Sequence, residues 1–309
     1  MIAFLFPGQG SQKVGMGQAF ADAFPVCRET MAEADAALGE DLSGLCFRGP
    51  EQRLVLTENT QPAILAVSVA MGRLLESRGI RPAMVAGHSL GEYSAHVMAG
   101  TIGFGDALRI VRRRGRLMQE AVPVGQGAMA AILGLDAEGV SLACAEAAEG
   151  DVVSPANLNA PGQIVIAGSK DAVARAIVRA KARGARRAIS LPVSAPFHCA
   201  LMKPAQDRLA PDLRALAAAD PTVPVVANVD AEPRRDARSA IEALVAQVSS
   251  PVRWEAVMRR LASEGVRKYV EVGPGTVLTG LGQKILKDGV FFTLEGPDDV
   301  DQAVAGLAG

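Results

Sequence analysis

Residues 85–94 read VAGHSLGEYS and place Ser89 between Gly87 and Gly91 at the spacing G-x-S-x-G. A short apolar run, AMVAG, enters this segment, and a helical pattern leaves it. Strand, G-x-S-x-G and helix together make a nucleophile elbow: the glycines let the chain turn sharply and the serine oxygen is held at the top of a sheet. The N-terminus of the next helix would aim backbone N–H groups at any oxyanion formed there. Without that context the same spacing is only a tight turn with a small residue; the context favours the nucleophile.

A serine nucleophile needs a base, and the chain has three histidines. His88 adjoins Ser89, and neighbouring side chains on a strand point to opposite faces. His96 lies seven residues on, about 10 Å along a helix axis, poorly placed to reach the serine and free to be a core or a surface residue. By elimination the base is His198, in SAPFHCALMKP, and serine before histidine is the chain order of elbow enzymes. The alternative for His198 is a packed loop histidine. No aspartate or glutamate announces itself as the orienting third member.

A second candidate lies on the wrong side of a helix. In GDALRIVRRRGRLMQEAV, Ala107, Val111, Met118 and Val122 form an apolar stripe at about 100° per residue. Arg109, Arg112, Arg113 and Arg116 fall opposite it, where solvent is expected to cover them. Arg114 falls near the middle of the stripe. A buried guanidinium without a partner is very costly, so Arg114 either pairs with a protein carboxylate or receives an anionic ligand. Helical phase does not choose between the two.

These residues need a scaffold. IAFLF reads as a strand before a Gly-rich turn, and AMVAG as a short buried strand. NTQPAILAVSVAMGRLLESRG reads as a helix capped by Asn59 or Thr60, with Pro62 in its first turn and Gly79 as its stop. This βα alternation predicts a hydrolase-like α/β domain, a mainly parallel sheet with helices on both faces. The middle of the chain differs. GAMAAILGL (strand), DAEGVSLACAEAAEG (helix), VVSPANLN and GQIVIAG (hairpin around Ala160-Pro161-Gly162), SKDAVARAIVRAKARGA (helix, N-cap Ser169) and RRAISLPVS (strand) give β-α-β-β-α-β, a ferredoxin-like unit. We place this subdomain at 124–194, inserted into a large catalytic domain of 1–123 and 195–309.

Composition narrows the classes. The 309 residues are 49% apolar with a net charge of −1, which argues against nucleic acid or an anionic membrane surface as the main partner. No apolar run approaches the ~20 residues of a spanning helix, and MIAFLFPGQG has no basic leader. Cys27, Cys46, Cys144 and Cys199 are scattered without metal spacing and suit a reducing cytoplasm.

Taken together, FPGQGSQ (6–12), TQPA (60–63), GHSLGEYSA (87–95), RGRLMQ (114–119), NLNAPGQIVIAG (157–168), APFHCALM (195–202), SSPVRW (249–254) and EVGPG (271–275) resemble the malonyl-CoA:acyl-carrier-protein transacylase family, which also supplies the acyltransferase domains of fatty-acid and polyketide synthases. The resemblance covers essentially the whole chain. It implies Ser89 as the acyl-accepting nucleophile, His198 as general base, and Gln9 and Leu90 as donors of the oxyanion-hole N–H groups. It implies Arg114 as the ligand of the malonyl carboxylate and the Gln247 carbonyl as the orienter of His198. It implies Phe197 as a wall of the acyl pocket that favours malonyl over branched groups. His96 departs from the apolar residue usual there. The implied enzyme uses malonyl-CoA as substrate and acyl carrier protein as partner, in fatty-acid synthesis. It needs no metal or cofactor and is expected to be a cytoplasmic monomer. Arg186 and Arg187 are candidates for receiving an acidic carrier. The rivals are a serine hydrolase and a non-catalytic docking subunit. A neutral carbonyl orienter implies a pH–rate profile rising with one histidine-like ionisation.

Overall fold

The computed structural model of the chain describes residues 1–193 and 195–308; Ser194, the end of the RRAISLPVS segment and of the 124–194 unit, lies outside them. Strands β1 (Ile2–Phe6), β2 (Met84–Gly87), β3 (Gly127–Leu133), β4 (Val153–Ala160), β5 (Gln163–Ser169), β6 (Arg187–Ser190), β7 (Val225–Val226), β8 (Pro233–Arg234), β9 (Lys268–Glu271) and β10 (Val290–Phe292) form two sheets.

The larger sheet has the order β10-β9-β1-β2-β7-β8. Its neighbours are parallel except β7 and β8. Side chains alternate across a strand, so Phe4 and Phe6 enter one core beneath helices Pro25–Leu38, Thr57–Ser77 and Phe104–Glu120, while Ala3 and Leu5 pack with Trp254, Val257 and Leu281 on the other face. Burial on both faces is why IAFLF and MVAG are unbroken apolar runs. Strands β1 and β2 end side by side, Phe6 opposite Gly87, and the order turns outward from β1 to either side. The crevice beyond the carboxyl ends of such strands is where open α/β sheets place their ligands.

The smaller sheet is antiparallel in the order β4-β5-β3-β6. Helices Ala137–Ala148 and Lys170–Ala182 cover one face. The chain order is therefore β-α-β-β-α-β, with Pro161-Gly162 linking β4 to β5. The opposite face carries Met129, Val165 and Ala167 toward Phe197, Cys199 and Leu201.

Two local expectations are corrected, and a third, the Ser169 N-cap, holds in position. The helix expected to start at Asn59 or Thr60 begins at Thr57 with Leu56 as N-cap, which leaves Pro62 inside it. Asn59 Nδ2 donates to Arg53 O at 2.8 Å and Thr60 Oγ1 to Leu54 O at 2.6 Å, so both side chains tie the helix to the preceding turn instead of capping it. Ser169 is the N-cap of its helix by position but makes no side-chain cap bond. Arg112 is not solvated: its side chain is 13% exposed and paired with Glu40, because helix Pro25–Leu38 and its following turn pack over that edge.

The elbow glycines are required by proximity. Neither Gly87 nor Gly91 has a positive φ, but a Cβ on Gly87 would sit 2.0 Å from the Gly91 carbonyl, and one on Gly91 would sit 2.0 Å from Phe6 O. Strand, helix and neighbouring strand pass too closely for a methyl group. Gly91→Ala should therefore destabilise the protein by about 3 kcal/mol, a Tm loss of several degrees. Gly280→Ala, in helix Val277–Ile285 with nothing within 4 Å of the added carbon, should be neutral or slightly stabilising. Thermal melts of both variants check the contrast; equal losses would mean that the elbow tolerates a Cβ.

Candidate active site

Ser89 sits between β2 and helix Leu90–Met98 with φ 52° and ψ −107°, outside the regions open to most side chains. Such strain persists only where surroundings over-determine it. Here Asn228, just past β7, does so: the Ser89 N–H donates to Asn228 Oδ1 at 2.7 Å, and Asn228 Nδ2 donates to Gly87 O at 2.8 Å. The turn is thus pinned from both ends by one amide on the neighbouring strand.

Ser89 Oγ lies 2.6 Å from His198 Nε2. His198 Nδ1 lies 3.0 Å from Gln247 O and 3.2 Å from Ser250 O. Carbonyls only accept, so Nδ1 carries the proton, Nε2 is the acceptor, and the serine hydroxyl donates to it. Among the described residues no carboxylate orients the ring. Burial and then the Arg114 charge push the His198 pKa down to about 3.

Arg114 is 2% exposed. Its Nη1 donates to Gln61 Oε1 at 2.8 Å, and its Nη2 donates to Gln247 Oε1 at 3.0 Å and to Ser89 Oγ at 3.1 Å. The guanidinium also lies over the Tyr93 ring, 5.4 Å from its centroid. All three hydrogen-bond partners are neutral. Among the described residues no carboxylate touches Arg114, so the protein-carboxylate alternative is realised only at one remove. Glu92, on the elbow helix and fully buried, accepts from Gln247 Nε2 at 2.8 Å and from Asn228 N at 3.0 Å. Burial raises its pKa to about 7 against the lowering by those two hydrogen bonds.

Ser89, His198 and Arg114 line a cleft of about 140 Å³ with Gln9, Gln61, His88, Leu90 and Asn157, and with an apolar wall of Met118, Met129, Leu191, Val193 and Phe197. Met118 comes from helix Phe104–Glu120 beside the larger sheet, Met129 from β3 of the smaller sheet, and Leu191, Val193 and Phe197 from the segment after β6. As the first residue of its helix, Leu90 has a backbone N–H with no intrahelical partner. Gln9, on the turn after β1, is exposed, and its side chain reaches Thr57 Oγ1 at 3.3 Å. His88 lines the same cleft as Ser89, contrary to the strand-alternation argument, because β2 ends at Gly87 and His88 already belongs to the turn. Its Nε2 is bound to Asn159 Oδ1 at 2.9 Å. His96 is fully buried, its pKa pushed to about 3 by burial and then by Arg234, and neither ring nitrogen finds a hydrogen-bond partner among the described residues. Arg186 and Arg187 are exposed.

Sequence reasoning singled out Ser89, His198, Arg114, Gln9, Leu90, Phe197 and Gln247. It passed over Glu92, Asn228, Gln61 and Asn159. Glu92 and Gln61 stood inside quoted motifs, and their signal was polarity on the inward face of an apolar helix. Asn228 follows an apolar pair, and nothing local marks it.

Residues 3–307 match the family model described as acyl transferase domain. The chain belongs to the acyl transferase domain family. It is 55% identical over 286 residues to the malonyl CoA-acyl carrier protein transacylase of Escherichia coli K12, covering 92% of this chain and 93% of that protein. It is 46% identical over 307 residues to the protein of the same name from Bacillus subtilis, covering 99% and 97%. Among solved structures, a malonyl-transacylase in complex with a type II polyketide-synthase acyl carrier protein superimposes with a TM-score of 0.97 at 49% identity, covering 99% of each chain.

The depressed pKa of His198 moves the expected histidine limb. The neutral, base-competent form is populated above about pH 3, so protonation removes the base only toward that end. Acylation of Ser89 by an uncharged acyl donor such as an acetyl thioester should be flat from about pH 5 to 8 and decline only in strong acid. Single-turnover rates against pH check this; a half-maximal point near pH 6.5 would show that Arg114 and burial do not act on His198.

Proposed function

We propose that this acyltransferase moves the malonyl group of malonyl-CoA through a covalent Ser89 ester to the phosphopantetheine thiol of acyl carrier protein, supplying fatty-acid synthesis. His198 Nε2 takes the Ser89 proton as Oγ attacks the thioester carbonyl. The N–H groups of Gln9 and Leu90 are the proposed donors to the oxyanion, and the positive end of helix Leu90–Met98 adds to its stabilisation. Collapse breaks the C–S bond, and the CoA sulfur leaves with the proton from His198. The carrier thiol then attacks the ester by the reverse sequence and regenerates Ser89. The names of the relatives support the substrates and the partner.

One observation carries the choice of acyl group. The Arg114 guanidinium lies 3.1 Å from the Ser89 oxygen, and its hydrogen-bond partners among the described residues are all neutral. An anion that satisfies it must lie on the acyl group itself, within two or three bonds of the reacting carbonyl. A malonyl group fits that reach; the phosphates of CoA do not. Seating the carboxylate also offsets the positive charge that lowers the His198 pKa, which strengthens the base when the correct acyl group is present. Phe197 lines the same cleft, and the family resemblance implies that it disfavours a branched acyl group. Exposed Arg186 and Arg187 are the candidate contacts for an acidic carrier. A cytoplasmic monomer without bound cofactor completes the reading, and no helix among the described residues is long and apolar enough to cross a membrane.

Mass spectrometry after mixing with malonyl-CoA should show one malonyl adduct on Ser89 that survives in buffer and discharges on adding carrier protein. Ser89→Ala should show no adduct while keeping its melting curve. Rapid hydrolysis unaffected by a thiol acceptor would instead make the chain a hydrolase.

Arg114→Ala should lower the malonyl-to-acetyl ratio of kcat/KM by roughly two to three decades, the range for losing one partner of a desolvated charge pair. Acetyl transfer should hold or improve. Arg114→Lys should recover little, because a point charge does not reproduce the planar fork. Equal losses for both substrates in a folded variant would make Arg114 structural.

A further inference from the structure

Gln247 does more than present a carbonyl to His198. Its side-chain Nε2 donates both to Glu92 Oε2 at 2.8 Å and to Ser89 O at 2.8 Å, while its Oε1 accepts from Arg114 at 3.0 Å. An ionised carboxylate can only accept and a guanidinium can only donate. The amide is therefore held in one orientation, with its dipole aligned between a buried anion and a buried cation. Glu92, Gln247 and Arg114 form an ion pair bridged by one amide, and the same residue's backbone holds the catalytic base.

The surroundings make that pair sensitive to a third charge. Arg114 and Arg234 are the cations acting on Glu92. Arg234, on β8, is already paired with Asp230. Tyr93 and His96 lie on the same helix as Glu92; His96 is held neutral by burial, and burial pushes the Tyr93 pKa up to about 12. His198 lies beyond Gln247. Glu92 Oε1 has no donor among the described residues. Of the cations acting on Glu92, Arg114 is the one that gains an anionic partner when a carboxylate-bearing acyl group arrives. A carboxylate seated on it is a second anion in a site whose positive charge Glu92 was balancing. Separated by an amide and a guanidinium, on the order of 9 Å, two unit negative charges at an effective dielectric of about 20 disfavour each other by a factor of about 20.

We propose that Glu92 is a specificity-determining positioning residue: through the Gln247 amide it balances Arg114 in the unloaded enzyme, and it takes one proton from solvent when an acyl carboxylate seats on Arg114. This inference rests on the proposed malonyl transfer. The proton balance is simple. Acylation itself is neutral, because the Ser89 proton leaves on the CoA thiol, so any net uptake belongs to the site. Burial places Glu92 near neutrality, so it is mostly ionised at pH 8 and mostly protonated at pH 6. Uptake should appear at the higher pH and vanish at the lower.

The test uses the wild-type enzyme with a pH-indicator dye in weak buffer, mixed with malonyl-CoA or acetyl-CoA, with acyl-enzyme counted in parallel by mass spectrometry. Most of one proton per malonyl-enzyme should be taken up at pH 8, little at pH 6, and none with acetyl-CoA at either. The malonyl-to-acetyl ratio of kcat/KM should correspondingly fall by about tenfold between pH 6.5 and 9. Glu92→Gln keeps an acceptor oxygen for Asn228 N and Gln247 Nε2 and places its NH2 where Oε1 accepts nothing. It should abolish the uptake and flatten the ratio, whereas a merely structural role would leave the pH dependence of the ratio in place. Malonyl-enzyme formed without uptake, equal uptake for both donors, or uptake that persists in Glu92→Gln would each overturn the role of Glu92 while leaving malonyl transfer intact. Failure to form malonyl-enzyme at all would overturn both.

Discussion

Arg114 is 2% exposed, and among the described residues its hydrogen bonds go to Gln61, Gln247 and Ser89 alone. Taking a guanidinium out of water costs several kcal/mol unless its charge is met, and three neutral oxygens meet it only in part. Much of the site follows from that shortfall. The guanidinium lowers the His198 pKa, donates to the Ser89 oxygen and fixes the amide of Gln247 against Glu92. In the proposed reaction a substrate carboxylate would complete a site that is already organised, so binding energy would act beside the reacting carbonyl, where it contributes to the rate.

The large sheet supplies the positions. Parallel β1 and β2 end together at Phe6 and Gly87, which brings the Gln9 turn beside the elbow. Strand β7 is next to β2, so Asn228 reaches both sides of Ser89. The strain at Ser89 is held by these bonds and by the contact of Gly87 with Gly91. His198 is also at positive φ, 61°, and its ring is held by two carbonyls. Ser89 and His198 thus meet at 2.6 Å from loops that the sheet and the antiparallel subdomain clamp on either side.

Legibility in the sequence followed the range of each signal. Periodicity is local, so β1, β2, the βαββαβ order and the inward phase of Arg114 could be read directly. The G-x-S-x-G spacing marked Ser89, and elimination among three histidines left His198. Helix starts were less legible: Asn59 and Thr60 have cap chemistry but spend it on Arg53 and Leu54 carbonyls, a tertiary choice that no window reveals. His88 was misjudged by one residue of strand length. Glu92, Asn228 and Gln61 were missed because each acts across 50 to 155 positions of sequence, and a polar residue on a buried face does not name its partner.

The central claim is that Arg114 receives the carboxylate of the acyl group carried by Ser89. A crystal structure of the malonyl-loaded enzyme, trapped without a thiol acceptor, tests it most directly. The account predicts both carboxylate oxygens within hydrogen-bond distance of the Arg114 nitrogens, with Gln247 still joined to Glu92 and the ester carbonyl directed at the N–H groups of Gln9 and Leu90. A malonyl carboxylate turned out toward solvent, with Arg114 still bound only to Gln61 and Gln247, would contradict it.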